Sequence, residues 1–131
     1  MKILVLEDEP TSRLLIKKIL NEFGQVVTTE NGVEAVEAFR AAVEEGERYD
    51  LVFLDIMVPD IDGQEVLRRI RAIEEKAGLD RLNKASRIVM ITALQDVSNV
   101  MQAFSEQCEA YIFKPFSKEI VRSTIEKLNL A

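Results

Sequence analysis

The stretch LVFLDIMVPDIDG, residues 51–63, decides the fold. Four apolar residues, Leu51 to Leu54, run into Asp55, and two further acids, Asp60 and Asp62, precede Gly63. An unbroken apolar run of this length reads as a strand covered on both faces, as in a parallel sheet. An ionised carboxylate is costly to bury, so Asp55 stands where the core stops.

The same rhythm repeats on either side. KILVL, QVVTT, RIVMIT and AYIF are further short apolar runs, and amphipathic segments over 11–23, 33–45, 64–77, 97–107 and 117–128 separate and follow them. Five strands alternating with five helices predict an α/β fold, a doubly wound parallel sheet with helices on both faces. The helical faces read as Leu15, Ile19, Phe23; Val36, Phe39, Val43; Val66, Ile70, Ile73; and Ile120, Thr124, Leu128. Pro10 and Thr11 suit a first helical turn, Asn31 an N-cap, Gly24 a C-terminal cap and Gly63 the exit from a turn. Residues 74–86, EEKAGLDRLNKAS, are compatible with an extended helix or a long loop.

Composition bounds the function. A chain of 131 residues fits one domain, 1–131, with a core that needs no staples. Its net charge of -6 argues against a nucleic-acid surface. There are no histidines, which excludes histidine catalysis and histidine metal ligation by these residues. The single cysteine, Cys108, lies in the amphipathic VSNVMQAFSEQCEAY and reads as a small buried apolar residue in a reducing compartment. No apolar segment approaches membrane-spanning length, and MKILVLEDEP turns acidic too soon for a signal peptide. The expected location is the cytoplasm.

In an open parallel sheet, ligands bind beyond the carboxyl ends of the strands. The first strand ends in Glu7, Asp8 and Glu9, the third in Asp55, the fourth in Thr92, and the fifth in Lys114 before Pro115. Each has a bland explanation: acids favour a helix N-terminus, and a threonine or lysine can simply end a strand. Together they form a chemical kit. Glu7, Asp8 and Asp55 suit a hard divalent cation such as Mg2+, the lysine supplies a point charge, and the threonine donates a hydrogen bond. These are the parts needed to hold a phosphoryl group.

Through LVLEDEP, LDIMVPDIDG, MITA and YIFKPF the chain resembles, from end to end, the receiver domain of two-component response regulators, and most nearly the single-domain, chemotaxis-regulator-like type. The resemblance implies a flavodoxin-like fold with strand order 2-1-3-4-5, an order that members of this family exemplify. It implies that Asp55 is phosphorylated, that Glu7 and Asp8 are the acidic pair, and that Met57 offers its main-chain carbonyl to the metal. Thr92 and Lys114 would bind the phosphoryl group, and Tyr111 would be the aromatic that moves on activation. The Lys114-Pro115 bond would be cis. Glu7 stands where aspartate is also common, Gln107 where glycine often precedes the fifth strand, and residues 74–86 look longer than usual. The implied function is that of a phosphoprotein in signal transduction or a phosphorelay. A histidine kinase or histidine phosphotransfer protein would be the donor, and a downstream protein, unknown from sequence, the target.

Other readings stay open on the residues alone. A haloacid-dehalogenase-like phosphotransferase also uses an aspartyl phosphate, but it would carry a DxD motif and a cap, whereas residues 7–9 read EDE. A calcium module would need DxDxDG spacing, which DIDG lacks. A receiver-like module that works without phosphorylation would have no need of Asp8, Asp55, Thr92 and Lys114 together. The chain is not expected to be an enzyme beyond promoting its own phosphorylation and dephosphorylation.

Overall fold

The computed structural model describes residues 1–58, 60–79, 85–93 and 108–130. Among them the chain runs β1 (Lys2–Leu6), α1 (Pro10–Leu20), β2 (Gln25–Thr29), α2 (Gly32–Glu44), β3 (Leu51–Asp55), α3 (Gly63–Lys76), β4 (Arg87–Ala93), β5 (Ala110–Lys114) and α4 (Lys118–Lys127). The strands form one parallel sheet in the order β2-β1-β3-β4-β5, the order that the family resemblance implied. The helix expected over 97–107 lies outside the described residues. Among the described residues no helix is long and apolar enough to cross a membrane.

Side chains alternate across each strand, and because helices cover both faces the central strands β1, β3 and β4 are buried along nearly their whole length. Ile3, Val5, Leu51, Phe53, Val89 and Ile91 pack on one side against Ile16, Ile19 and Leu20 of α1 and Val121 and Ile125 of α4. Leu4, Leu6, Val52, Leu54, Ile88 and Met90 pack on the other against Val36 and Phe39 of α2 and Val66, Leu67 and Ile70 of α3.

Two helical faces differ from the sequence reading by one residue. In α1 the buried arc is Ile16, Ile19, Leu20, while Leu15 is exposed; in α4 it is Val121, Ile125 and Leu128, while Ile120 is exposed. Each helix offers two adjacent apolar arcs, and periodicity does not choose between them; the sheet does. Gly24 is also not a helix cap, because α1 ends at Leu20 with Asn21 as its C-cap. Its glycine serves a close approach, since a Cβ there would lie 2.0 Å from the Met1 carbonyl oxygen.

The amino-terminal edge of the sheet is tied by ions. Glu74 of α3 is buried and accepts from the Ser86 N–H at 2.6 Å. Arg71 donates to Glu74 at 2.8 Å, to the Ser86 carbonyl at 2.9 Å, and to both carboxylate oxygens of Glu109 at 2.9 and 3.1 Å. Glu109 in turn accepts from the Ile88 N–H at 2.6 Å. These bonds bind α3 to the starts of β4 and β5. Of residues 74–86, helix α3 takes those up to Lys76, and Gly78 leaves it with φ 75°; residues 80–84 are outside the described set.

Candidate functional site

The parallel register brings the strand ends into one row. Leu6 pairs with Leu54, Asp55 with Ile91, and Ala93 with Lys114, so Glu7, Asp55, Thr92 and Lys114 share the carboxyl edge of the sheet. Of the acids in EDE, Glu9 serves the helix: its side chain caps α1, accepting from the Thr11 and Ser12 N–H groups at 3.1 and 2.7 Å. Glu7 and Asp8 are left for the site.

Asp55 is 3% exposed and Glu7 0% exposed, while Asp8 is exposed. Lys114 Nζ bridges the buried pair, 2.8 Å from Asp55 Oδ2 and 2.8 Å from Glu7 Oε1. The other oxygens are also held: Asp55 Oδ1 accepts from the Met57 N–H at 3.0 Å, and Glu7 Oε2 from the Glu9 N–H at 3.1 Å. Burial would lower the affinity of Lys114 for its proton, but Asp55 and Glu7 outweigh it and push its pKa up, keeping it a cation. Burial pushes the Glu7 carboxyl up; Lys114 opposes this, and the Asp55 carboxylate adds to it.

The donor set fits a hard divalent cation. Carboxylate oxygens of Glu7, Asp8 and Asp55 all lie within 4.8 Å of one another. One lysine against three carboxylates leaves two negative charges uncompensated. Buried carboxylates crowded in this way favour a further cation, since like charges at such distances repel.

Thr92 is buried, and its hydroxyl donates to the Ala93 carbonyl at 3.2 Å. Tyr111 is 38% exposed and lies edge-on to Phe113, ring centroids 5.2 Å apart. Met57, two residues after Asp55, is 60% exposed. The Lys114-Pro115 bond is cis. The structure thus brings Glu7, Asp8, Asp55 and Lys114 into contact range and sets Thr92 along the same edge, with Tyr111 three residues before Lys114. Pro59, Leu94 and Gln107 lie outside the described residues.

Two residues were missed from sequence. Arg13 reaches back from α1 to the carbonyls of Glu7 and Asp8 at 3.1 and 3.3 Å and pairs with Glu30 at 3.0 Å. Asp60 bonds to the start of α2. Nothing in the local pattern distinguishes Arg13 from a solvated helix residue or Asp60 from a polar turn residue.

A doubly wound sheet with an acid cluster, a hydroxyl and a lysine along its carboxyl edge defines a phosphoacceptor signalling module. The chain belongs to the response regulator receiver domain family, whose sequence profile matches residues 3–126. It is 34% identical over 128 residues to the chemotaxis protein CheY of Bacillus subtilis, covering 96% of this chain and 95% of that protein. It is 39% identical over 122 residues to the transcriptional regulatory protein ResD of Bacillus subtilis, covering 92% of this chain but 45% of that protein, so it spans less than half of that relative's length. Among solved structures it resembles the receiver domain of a sensor histidine kinase from Pseudomonas aeruginosa, solved with a magnesium ion coordinated in the active-site cleft. That likeness has a TM-score of 0.77 at 24% identity, over 96% of this chain and 94% of that one.

Proposed function

We propose that Asp55 is the phosphoacceptor, that Glu7, Asp8, Asp55 and the Met57 carbonyl hold Mg2+, and that Thr92 and Lys114 grip the phosphoryl oxygens. The observation that carries this reading is the bridge from Lys114 to both Glu7 and Asp55, at 2.8 Å each, at the rim of a buried strand. The magnesium-bound receiver domain from Pseudomonas aeruginosa supports the choice of metal.

These residues contain no histidine, so a phosphohistidine donor sits on a partner, a histidine kinase or histidine phosphotransfer protein. An Asp55 carboxylate oxygen attacks phosphorus in line, the bond from nitrogen to phosphorus breaks, and the imidazole leaves as an acyl phosphate forms. Asp55 is 3% exposed at the end of β3 and its Oδ1 accepts from the Met57 N–H, so its carboxylate is held in place for attack. Lys114 is already a cation and turns from the carboxylates to the incoming oxygens, while the Thr92 hydroxyl exchanges the Ala93 carbonyl for a phosphoryl oxygen. Bound magnesium supplies the positive charge that lets anions approach anions.

Thr92 leaving its resting position opens space on the Tyr111 side, and Tyr111 moving inward alters the face around β5 and α4 that a downstream protein reads. The domain promotes only its own phosphorylation and dephosphorylation, works in the cytoplasm, and touches neither nucleic acid nor membrane. The test is intact-mass measurement after incubation with a small acyl phosphate and magnesium. One phosphoryl group should add to the wild type and none to Asp55→Asn. An equal gain in both would overturn the assignment.

A further inference from the structure

We infer that Asp60 is a positioning residue for the metal and phosphoryl site, acting by fastening the loop between β3 and α3 to the first turn of α2; this rests on the reading that the Met57 carbonyl faces the metal. Asp60 Oδ1 accepts from the Gly32 N–H at 2.7 Å and Oδ2 from the Val33 N–H at 2.8 Å. Both carboxylate oxygens are therefore spent on one helix end. That end already has its own cap, Asn31, which accepts from the Glu34 N–H at 2.8 Å. The contact is close as well as polar. A Cβ on Gly32 would lie 2.4 Å from Ile61 Cγ1 and 2.5 Å from the Ile61 carbonyl oxygen, so only glycine lets the loop sit directly on the helix.

Two other hydrogen bonds close the loop on its own strand and helix. The Gly63 N–H donates to the Ile56 carbonyl at 3.0 Å, and Asp62 caps α3 by accepting from the Glu65 N–H at 2.9 Å. Neither bond reaches α2, where Val58 and Ile61 add apolar packing against the core that holds Ala35, Val36 and Phe39. Asp60 adds a polar fixed point on that helix three residues after Met57. Met57 is thereby held between two anchors, since its own N–H donates to Asp55 Oδ1 at 3.0 Å. With Asp60 released, the loop after Met57 loses its polar tie to α2, and part of the ordering of Met57 falls on metal binding.

The test is calorimetric titration with magnesium of the wild type, Asp60→Ala, Asp60→Asn and Asn31→Ala. Asp60→Ala should raise the magnesium Kd about ten-fold, the size expected when a supporting contact is lost and one backbone residue must be ordered on binding. Asp60→Asn keeps one acceptor oxygen and should fall between, which also serves if the alanine variant does not fold. Asn31→Ala removes a cap from the same helix without touching the loop and should leave Kd at the wild-type value. An unchanged Kd in both Asp60 variants, or an equal rise in Asn31→Ala, would overturn this inference alone. A wild type that binds no magnesium would overturn the site reading and this inference with it.

Discussion

Replacing Lys114 with methionine keeps most of the side chain's bulk and removes its charge. Without metal, the ammonium is the counter-charge 2.8 Å from both Glu7 and Asp55, whose side chains are 0% and 4% exposed. In Lys114→Met two buried anions face each other unscreened. Removing one partner of a buried pair costs about 3 to 5 kcal/mol, because the charge left behind has no compensation. The lysine side chain is 28% exposed, so water reaches part of the site, and about 2 to 3 kcal/mol is the appropriate figure. For a domain of this size that lowers Tm by roughly 6 to 12 °C. The loss should largely disappear at saturating magnesium, which supplies the missing charge to the same carboxylates. The variant should also bind magnesium more tightly than the wild type, because no ammonium competes for Glu7 and Asp55. Melts followed by circular dichroism, in chelator and in excess magnesium, measure both effects. An equal drop in Tm under the two conditions would refute the reasoning.

Four further outcomes are expected. Asp8→Asn should raise the Tm of the metal-free protein by removing one of three crowded like charges, and should weaken magnesium binding by about ten-fold or more; melts and titration check the two halves. Met57→Asn combined with Leu94→Glu, the positions two residues after Asp55 and after Thr92 that are expected to flank the attacking water, should speed loss of the phosphoryl group by about ten-fold, or 1.4 kcal/mol of barrier, because polar side chains orient water where Met and Leu cannot. Decay of labelled phosphoprotein after donor removal is the assay, and unchanged decay would mean that these side chains do not set the lifetime. Burial, with the Glu109 charge beside it, pushes the Cys108 thiol up to about 11, so alkylation near pH 8 should be at least roughly 100-fold slower in native than in urea-unfolded protein, as mass spectrometry would show. For Asp60, burial works against ionisation, but the Val33 and Gly32 N–H groups outweigh it and hold the carboxyl below its ordinary value of 3.8. A depressed folded value means stability present above the ordinary value and lost as pH falls through the folded one, so the stability gap between wild type and Asp60→Ala should persist down to about pH 4 and close below it.

What the sequence made legible follows from what repeats. The apolar strands were readable because burial on both faces leaves no polar residue in Leu51–Leu54, their order only through the family resemblance, and the row of candidate site residues because parallel strands deliver their ends to one edge. The arcs of α1 and α4 were not readable, because Leu15 with Ile19 and Ile16 with Leu20 satisfy the same period, and the choice depends on how the helix lies on the sheet. Glu9 as cap beside Glu7 as site residue could not be separated either, since both are acids before a helix. Asp60 is the clearest case of information that is not local. Its partners, Gly32 and Val33, lie 28 and 27 positions away, and only the folded chain brings that helix end to the loop.

The ionic knot of Arg71, Glu74, Ser86 and Glu109 sits at the end of the sheet opposite the acids, and its consequence is mechanical. It grips β4 and β5 at their first residues, through Ser86, Ile88 and Glu109, while Thr92 and Lys114 stand at their far tips. Two neighbouring strands clamped at one end behave as cantilevers, stiff at the root and most compliant at the tip. A pull on Thr92 or Lys114 is then taken up by tilt at the carboxyl ends, with the register at the root unchanged. Weakening the root, as by Glu74→Gln, would let the same pull slide the strands and dissipate it along the sheet.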